Sequence, residues 1–275
     1  MIASESMKLN VCIAGATGWV GLPLCRAIHD SDDLTLSGAV SRTHRGENFG
    51  ELLGLSDVDV IVSGTVAEAL ATPTDVLIDY TSPEAVKENV LTALACGVHV
   101  VIGTSGLSEQ DFAEIEQAAL EHQVGVVAAG NFAVTAVLLQ RFACEAAAVL
   151  SHWEIIEYAS AKKADAPSGT TLELAHLLSQ VRPPNIPLPV EETIGIKETR
   201  GASVNGSRVH AVRLPGYVVS VEVIFGEDSE RLSIRYDAGG GPEPYIPGTL
   251  MAARAVKNRI GLTRGLSSIM EQANF

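Results

Sequence analysis

Gly15, Gly18 and Gly21 fall at every third position of Val11-Cys12-Ile13-Ala14-Gly15-Ala16-Thr17-Gly18-Trp19-Val20-Gly21. In a strand–turn–helix setting each glycine has a use. The first permits a tight turn, the second lets backbone approach a diphosphate, and the third lets helix and strand pack closely. The helix start that follows presents unpaired N–H groups and a partial positive charge. Gly15, Ala16, Thr17, Gly18, Trp19 and Val20 are therefore the expected diphosphate site. A second run, Ser160-Ala161-Lys162-Lys163-Ala164-Asp165-Ala166-Pro167-Ser168-Gly169-Thr170, also leads into a helix. Ser168 fits an N-cap, the amides of Gly169 and Thr170 fit an anion nest, and Lys163 adds a point charge. A carboxylate is the natural ligand for such a nest.

The coenzyme type is read at the end of the second strand. An acid there would hold the ribose hydroxyls of NAD. Ser41 stands in that place and Arg42, Thr43, His44 and Arg45 follow. Arg42 and Arg45 suit a 2′-phosphate, with Ser41 and Thr43 as hydrogen-bond donors. NADPH is expected, with NADH less favoured.

These residues need elements to hold them. Apolar, β-rich runs at Leu9–Ala14, Leu34–Val40, Val76–Tyr80, His99–Gly103 and Val124–Ala128 alternate with helical patterns at Trp19–Ile28, Pro83–Ala95 and Ser108–His122. That alternation predicts a doubly wound parallel sheet with helices on both faces, a Rossmann-type α/β domain. The segments Asp79–Pro83, Gly103–Gly106 and Ala129–Phe132 end successive strands and face one crevice beyond their carboxyl ends. Gly103, Thr104, Ser105, Ala129, Gly130, Asn131 and Phe132 are the expected nicotinamide-end residues. After a long helix at Ala133–Leu150 the pattern changes. A strand at Trp153–Tyr158, a helix at Gly169–Gln180, and strands at Ser207–Leu214, Val218–Phe225 and Arg231–Tyr236 predict a second α+β domain on an open mixed sheet. The final helix, Gly248–Ile260, returns to the first domain. The expected division is residues 1–131 with 243–275 for the dinucleotide and 132–242 for substrate binding and oligomerisation.

Composition narrows the class. The 275 residues are 47% hydrophobic, enough for a substantial core. The net charge of -14 disfavours binding to nucleic acid. No apolar run reaches the ~20 residues of a membrane helix, and Met1–Asn10 lacks a signal-peptide layout. Cys12, Cys25, Cys96 and Cys144 read as buried free thiols of a cytoplasmic protein, with no spacing that suggests a metal.

Taken together, Gly15–Gly21, Asp79-Tyr80-Thr81, Gly103-Thr104-Ser105-Gly106, Asn131-Phe132 and above all Lys163-Ala164-Asp165-Ala166-Pro167-Ser168-Gly169-Thr170 resemble the dihydrodipicolinate reductase family of lysine and diaminopimelate biosynthesis. Arg200-Gly201 and Val209–Gly216 resemble its later strands. The resemblance implies a homotetramer assembled through the second domain. It also implies hydride transfer from a nicotinamide to a C=N or conjugated double bond of a cyclic dicarboxylate. Lys163, Gly169 and Thr170 then bind substrate carboxylate, Ser160 and Ser168 are expected beside them on the substrate, and Ser41 and Arg42 lie near the adenosine ribose.

The chain departs from the family in one place. Two adjacent histidines, the first the family's proton donor and the second a substrate contact, are replaced by Ala159 and Ser160. Alanine has no proton to give, and a serine hydroxyl is too weak an acid to stand in for imidazole. The arginine of the late Gly239–Pro242 loop is also missing. The sequence therefore reads first as a divergent member that reduces an altered, already protonated cyclic imine. Lys163 is the first choice for a catalytic role, with Lys162, Tyr158 and His210 behind it. Two alternatives stand beside this reading: the family's own reductase, and a nucleotide-binding descendant without catalysis.

Overall fold

The computed structural model describes residues 8–272. Two compact units are present. One holds the described residues up to Val134 and from Pro242 onward, and the other is Thr135–Gly241.

The first unit starts with β1 (Leu9–Ala14), α1 (Gly21–His29) and β2 (Leu34–Val40). Two short helices follow, α2 (Phe49–Leu53) and α3 (Val66–Ala69), which lack enough length to show a helical period in the sequence. Then come β3 (Val76–Asp79), α4 (Val86–Ala95), β4 (His99–Ile102), α5 (Glu109–Glu121) and β5 (Gly125–Ala128). Strands β3 and β5 are buried at every residue, as a sheet covered on both faces requires. At the start of α5, Ser108 and Asp111 form a reciprocal capping box.

The second unit carries α6 (Val134–Val149), β6 (Trp153–Ala159), α7 (Gly169–Val181), β7 (Ala202–Val204), β8 (Ser207–Arg213), β9 (Val219–Gly226) and β10 (Arg231–Asp237). Its five-stranded sheet has the order β10-β9-β6-β8-β7. Strand β6 runs parallel to β8 and antiparallel to β9, so the sheet is mixed. Trp153, Ile155, Glu157 and Ala159 face the buried side, whereas Glu154, Ile156 and Tyr158 face outward.

The chain then returns to the first unit as α8 (Tyr245–Val256), β11 (Gly261–Arg264) and α9 (Ser267–Gln272). The expected helix Gly248–Ile260 thus lies earlier and ends sooner. Gly248 sits inside it because a Cβ there would land on the Phe132 carbonyl oxygen. Strand β11 pairs parallel with β5 and completes the order β11-β5-β4-β3-β1-β2, six strands where five were expected. It was missed because its short Gly-Leu-Thr-Arg segment is only partly buried and has no apolar run.

Candidate active site

At the first turn, the amides of Gly15 and Ala16 both donate to the Val40 carbonyl, at 3.0 and 3.1 Å, and the Gly18 amide donates to the Gly15 carbonyl at 2.9 Å. Gly15 has φ +83°, open to glycine but strained for other residues. A Cβ at Gly15 would strike the Tyr80 carbonyl, and one at Gly21 would strike the Gly15 carbonyl. The turn is therefore closed backbone against backbone. Among the described residues, no acceptor takes the amides of Thr17, Trp19 and Val20. This is a donor set that suits a diphosphate at the start of α1. The Trp19 indole is 60% exposed and meets the Tyr245 ring edge-on, with centroids 5.9 Å apart.

Beyond β2, a chain of hydroxyls links Thr17 Oγ1 to Ser41 Oγ at 2.8 Å and Ser41 Oγ to Thr43 Oγ1 at 3.3 Å. Arg42 is exposed and makes no hydrogen bond or ion pair among the described residues. Arg45, also expected at a 2′-phosphate, is instead paired with Glu68 at 2.6 Å.

The expected nicotinamide end is organised from below. Asp79 is fully buried and collects the hydroxyls of Thr104 (2.6 Å) and Thr81 (2.7 Å), the Thr81 amide (3.1 Å) and the Asn89 side-chain amide (2.8 Å). Gly103 lies on the Tyr80 ring, where a Cβ would collide with the ring carbons. The Tyr80 hydroxyl is 2.7 Å from the Thr249 hydroxyl, and burial pushes its pKa upward. Ser105 and Gly130 are exposed, and Ala129 and Asn131 are half-buried. Phe132, by contrast, is 2% exposed and packs edge-on against Tyr80, so it belongs to the core. Its role is to seat α8 rather than to offer its ring to a ligand.

In the second unit the nest is built around a residue that sequence reasoning passed over. Glu157 is fully buried. Its Oε2 accepts the Ser168 amide and the Thr171 hydroxyl, both at 2.6 Å, and its Oε1 is ion-paired with Arg213. Burial alone would raise this carboxyl. The hydrogen bonds from Ser168, Thr171 and Arg213 outweigh it and hold the group below the usual glutamate range. Arg213 also donates to the carbonyls of Lys163 (3.3 Å) and Asp165 (2.6 Å), which folds the loop after β6 onto β8. The signal was present in the sequence: Glu157 shares the inward phase of Trp153, Ile155 and Ala159, and a carboxylate in that phase needs partners.

Ser168 caps α7 as expected, its Oγ accepting the Thr171 amide at 3.4 Å, but it is 3% exposed and its own amide is committed to Glu157. It shapes the nest rather than offering a ligand group. Gly169 is exposed with open space around it, and Thr170 is half-buried beside it. Ser160 is half-buried, and its carbonyl accepts the Lys163 amide at 2.9 Å.

Lys163 Nζ sits 2.8 Å from Asp165 Oδ1. The side chain expected to take the catalytic role is thus ion-paired with a carboxylate. Two other residues considered for that role lie on the outward side of the second sheet. Tyr158 points outward and donates to Glu222. His210 pairs with Ile156 in register, on that same outward side, and meets Glu154 at 2.7 Å. Ala159 is fully buried.

A family model described as dihydrodipicolinate reductase, N-terminus, matches residues 9–132, and its C-terminal counterpart matches residues 135–270. The chain is 40% identical over 266 residues to a protein of Desulfitobacterium hafniense named 4-hydroxy-tetrahydrodipicolinate reductase, covering 96% of this chain and 99% of that one. A protein of the same name from Thermosynechococcus vestitus is 37% identical over 271 residues, covering 96% and 98%. Among solved structures, the dipicolinate-bound dihydrodipicolinate reductase of Paenisporosarcina sp. TG-14 superposes with a TM-score of 0.83 at 29% identity, covering 96% of this chain and all of the other. An amine dehydrogenase of Mycobacterium smegmatis, at 14% identity and a TM-score of 0.67, shares the fold. With both family models matched in tandem and relatives aligned along almost the whole length, the chain belongs to the dihydrodipicolinate reductase family and is an NAD(P)H-dependent oxidoreductase.

Proposed function

We propose that this protein is itself a 4-hydroxy-tetrahydrodipicolinate reductase, using NADPH to reduce a cyclic dicarboxylate in the route to diaminopimelate and lysine. The observation that carries this reading is the match, from end to end, to relatives bearing that name. It replaces the expectation of an altered imine substrate, which had rested on Ala159 and Ser160 and on the missing arginine of the Gly239–Pro242 loop.

A bound reduced nicotinamide supplies the hydride. The chain's own residues do the rest. The amides of Thr17, Trp19 and Val20 hold the diphosphate. The exposed Arg42 pairs with a 2′-phosphate, and Ser41 and Thr43 line the ribose. Gly103, Thr104, Ser105, Ala129, Gly130 and Asn131 frame the nicotinamide end. Gly169 and Thr170 take a substrate carboxylate on their amides, and Lys163, steadied by Asp165, adds charge. Glu157 and Arg213 keep this loop folded when no substrate is present. With alanine in the place of the donor histidine, the proton that completes the reduction comes from solvent. Lys163 acts as an anchor rather than an acid.

The outward side of the second sheet, with Glu154, Tyr158 and His210, is the surface we assign to homotetramer assembly, a property carried over from the family resemblance. Sedimentation should give four times the 28.9 kDa chain mass.

The decisive assay follows NADPH oxidation with enzymatically generated substrate. Turnover is expected, with pyridine-2,6-dicarboxylate as a competitive inhibitor. Lys163→Ala should raise KM for the substrate about tenfold or more while leaving coenzyme affinity alone, and Arg42→Ala should weaken NADPH but not NADH. Absence of turnover beside activity on other cyclic imines would restore the altered-substrate reading. Failure to bind either coenzyme would end the proposal.

A further inference from the structure

We infer that Asp79 is a positioning residue that fixes the nicotinamide-facing end of the first unit through Thr81 and Thr104; the inference rests on the coenzyme reading proposed above. A buried carboxylate is costly unless its oxygens are saturated. Here the donors are a backbone amide, two hydroxyls and a side-chain amide, with no cation paired to Asp79 among the described residues. The group therefore serves to organise neutral donors. Asp79 is the last residue of β3 and stands in register with Ile102, the last residue of β4. One carboxylate thus joins the ends of two adjacent strands and reaches α4 through Asn89.

Counting protons shows what this fixes. A threonine hydroxyl has one proton. That of Thr104 points at Asp79 Oδ1, and its lone pair takes the Thr81 amide at 2.7 Å. The Thr81 hydroxyl is likewise spent on Asp79. Neither side chain has a donor left for a ligand. The Gly103 amide is spent on the Asp79 carbonyl at 2.9 Å, so what the Gly103–Ser105 turn can offer is its remaining peptide groups, held in a fixed array by the threonines behind them. A carboxamide has one carbonyl acceptor and one amino donor, which peptide N–H and C=O groups can match. Asp79 acts on the coenzyme through this array and touches none of it.

The test compares NADPH with 2′-phospho-ADP-ribose, which lacks only the nicotinamide. Asp79→Asn keeps the shape and removes the charge; Thr104→Val keeps the shape and removes the hydroxyl. Each should weaken NADPH about ten- to a hundredfold and lower kcat while the fragment changes by less than about threefold, and the double variant should be no weaker than the worse single one, because both cut one link. Equal weakening of coenzyme and fragment, or multiplying effects in the double variant, would overturn the inference. Should the wild type bind both ligands and the variants match it, this inference alone falls. If the wild type binds neither, the coenzyme reading falls and takes the inference with it.

Discussion

Glu157 remains an anion in the core of the second unit because Ser168, Thr171 and Arg213 surround it. Replacing it by glutamine leaves Arg213 without its counter-charge. Glu157→Gln should cost roughly 3 kcal/mol, the low end for breaking a buried pair because Arg213 keeps some exposure, read from the urea midpoint. The pH dependence has a definite sign. A carboxyl held below its unfolded value of about 4.3 adds stability in full above that value, and the gain is lost as pH falls through the folded value. Wild-type stability should therefore fall more steeply than that of Glu157→Gln as pH drops below about 5. In the sequence the Ser168 cap at the start of α7 was readable, because caps are local. The Glu157–Arg213 pair was not, because the two residues lie 56 positions apart and meet only when β6 and β8 adopt their register.

At the scale of elements, the glycine turn is the most legible feature, since its demands are set by atoms within a few residues. Gly21→Ala would drive a Cβ onto the Gly15 carbonyl and part α1 from β1. Loss of coenzyme binding and a fall in stability of more than about 3 kcal/mol are expected, measured by coenzyme titration and denaturant melts. Regular strands were found almost to the residue where they are continuous and apolar, as at Leu9–Ala14 and Leu34–Val40. The short helices α2 and α3 and the strands β7 and β11 escaped notice. Each is held by its neighbours, with too few residues to carry a period of its own.

Across the whole chain the cysteines report on packing. All four were expected to be buried, yet Cys96 is exposed, at the end of α4, and Cys144 is half-buried. Burial pushes Cys12 up to about 12 and Cys25 upward as well. A thiol reagent at neutral pH should modify Cys96 at once and reach Cys12 and Cys25 only on unfolding of the first unit. Coenzyme at a hundred times its Kd should slow that second phase by about a hundredfold, a stabilisation of ~2.7 kcal/mol. The late return of the chain has a different implication. Strand β5 lies at the growing border of the first sheet until β11 pairs with it, and all of Thr135–Gly241 is made in between. During synthesis on the ribosome, β5 thus waits with an unpaired backbone for more than a hundred residues. Nascent chains stalled before Pro242 should be more prone to aggregate and to engage chaperones than chains stalled after Arg264, when the border has closed.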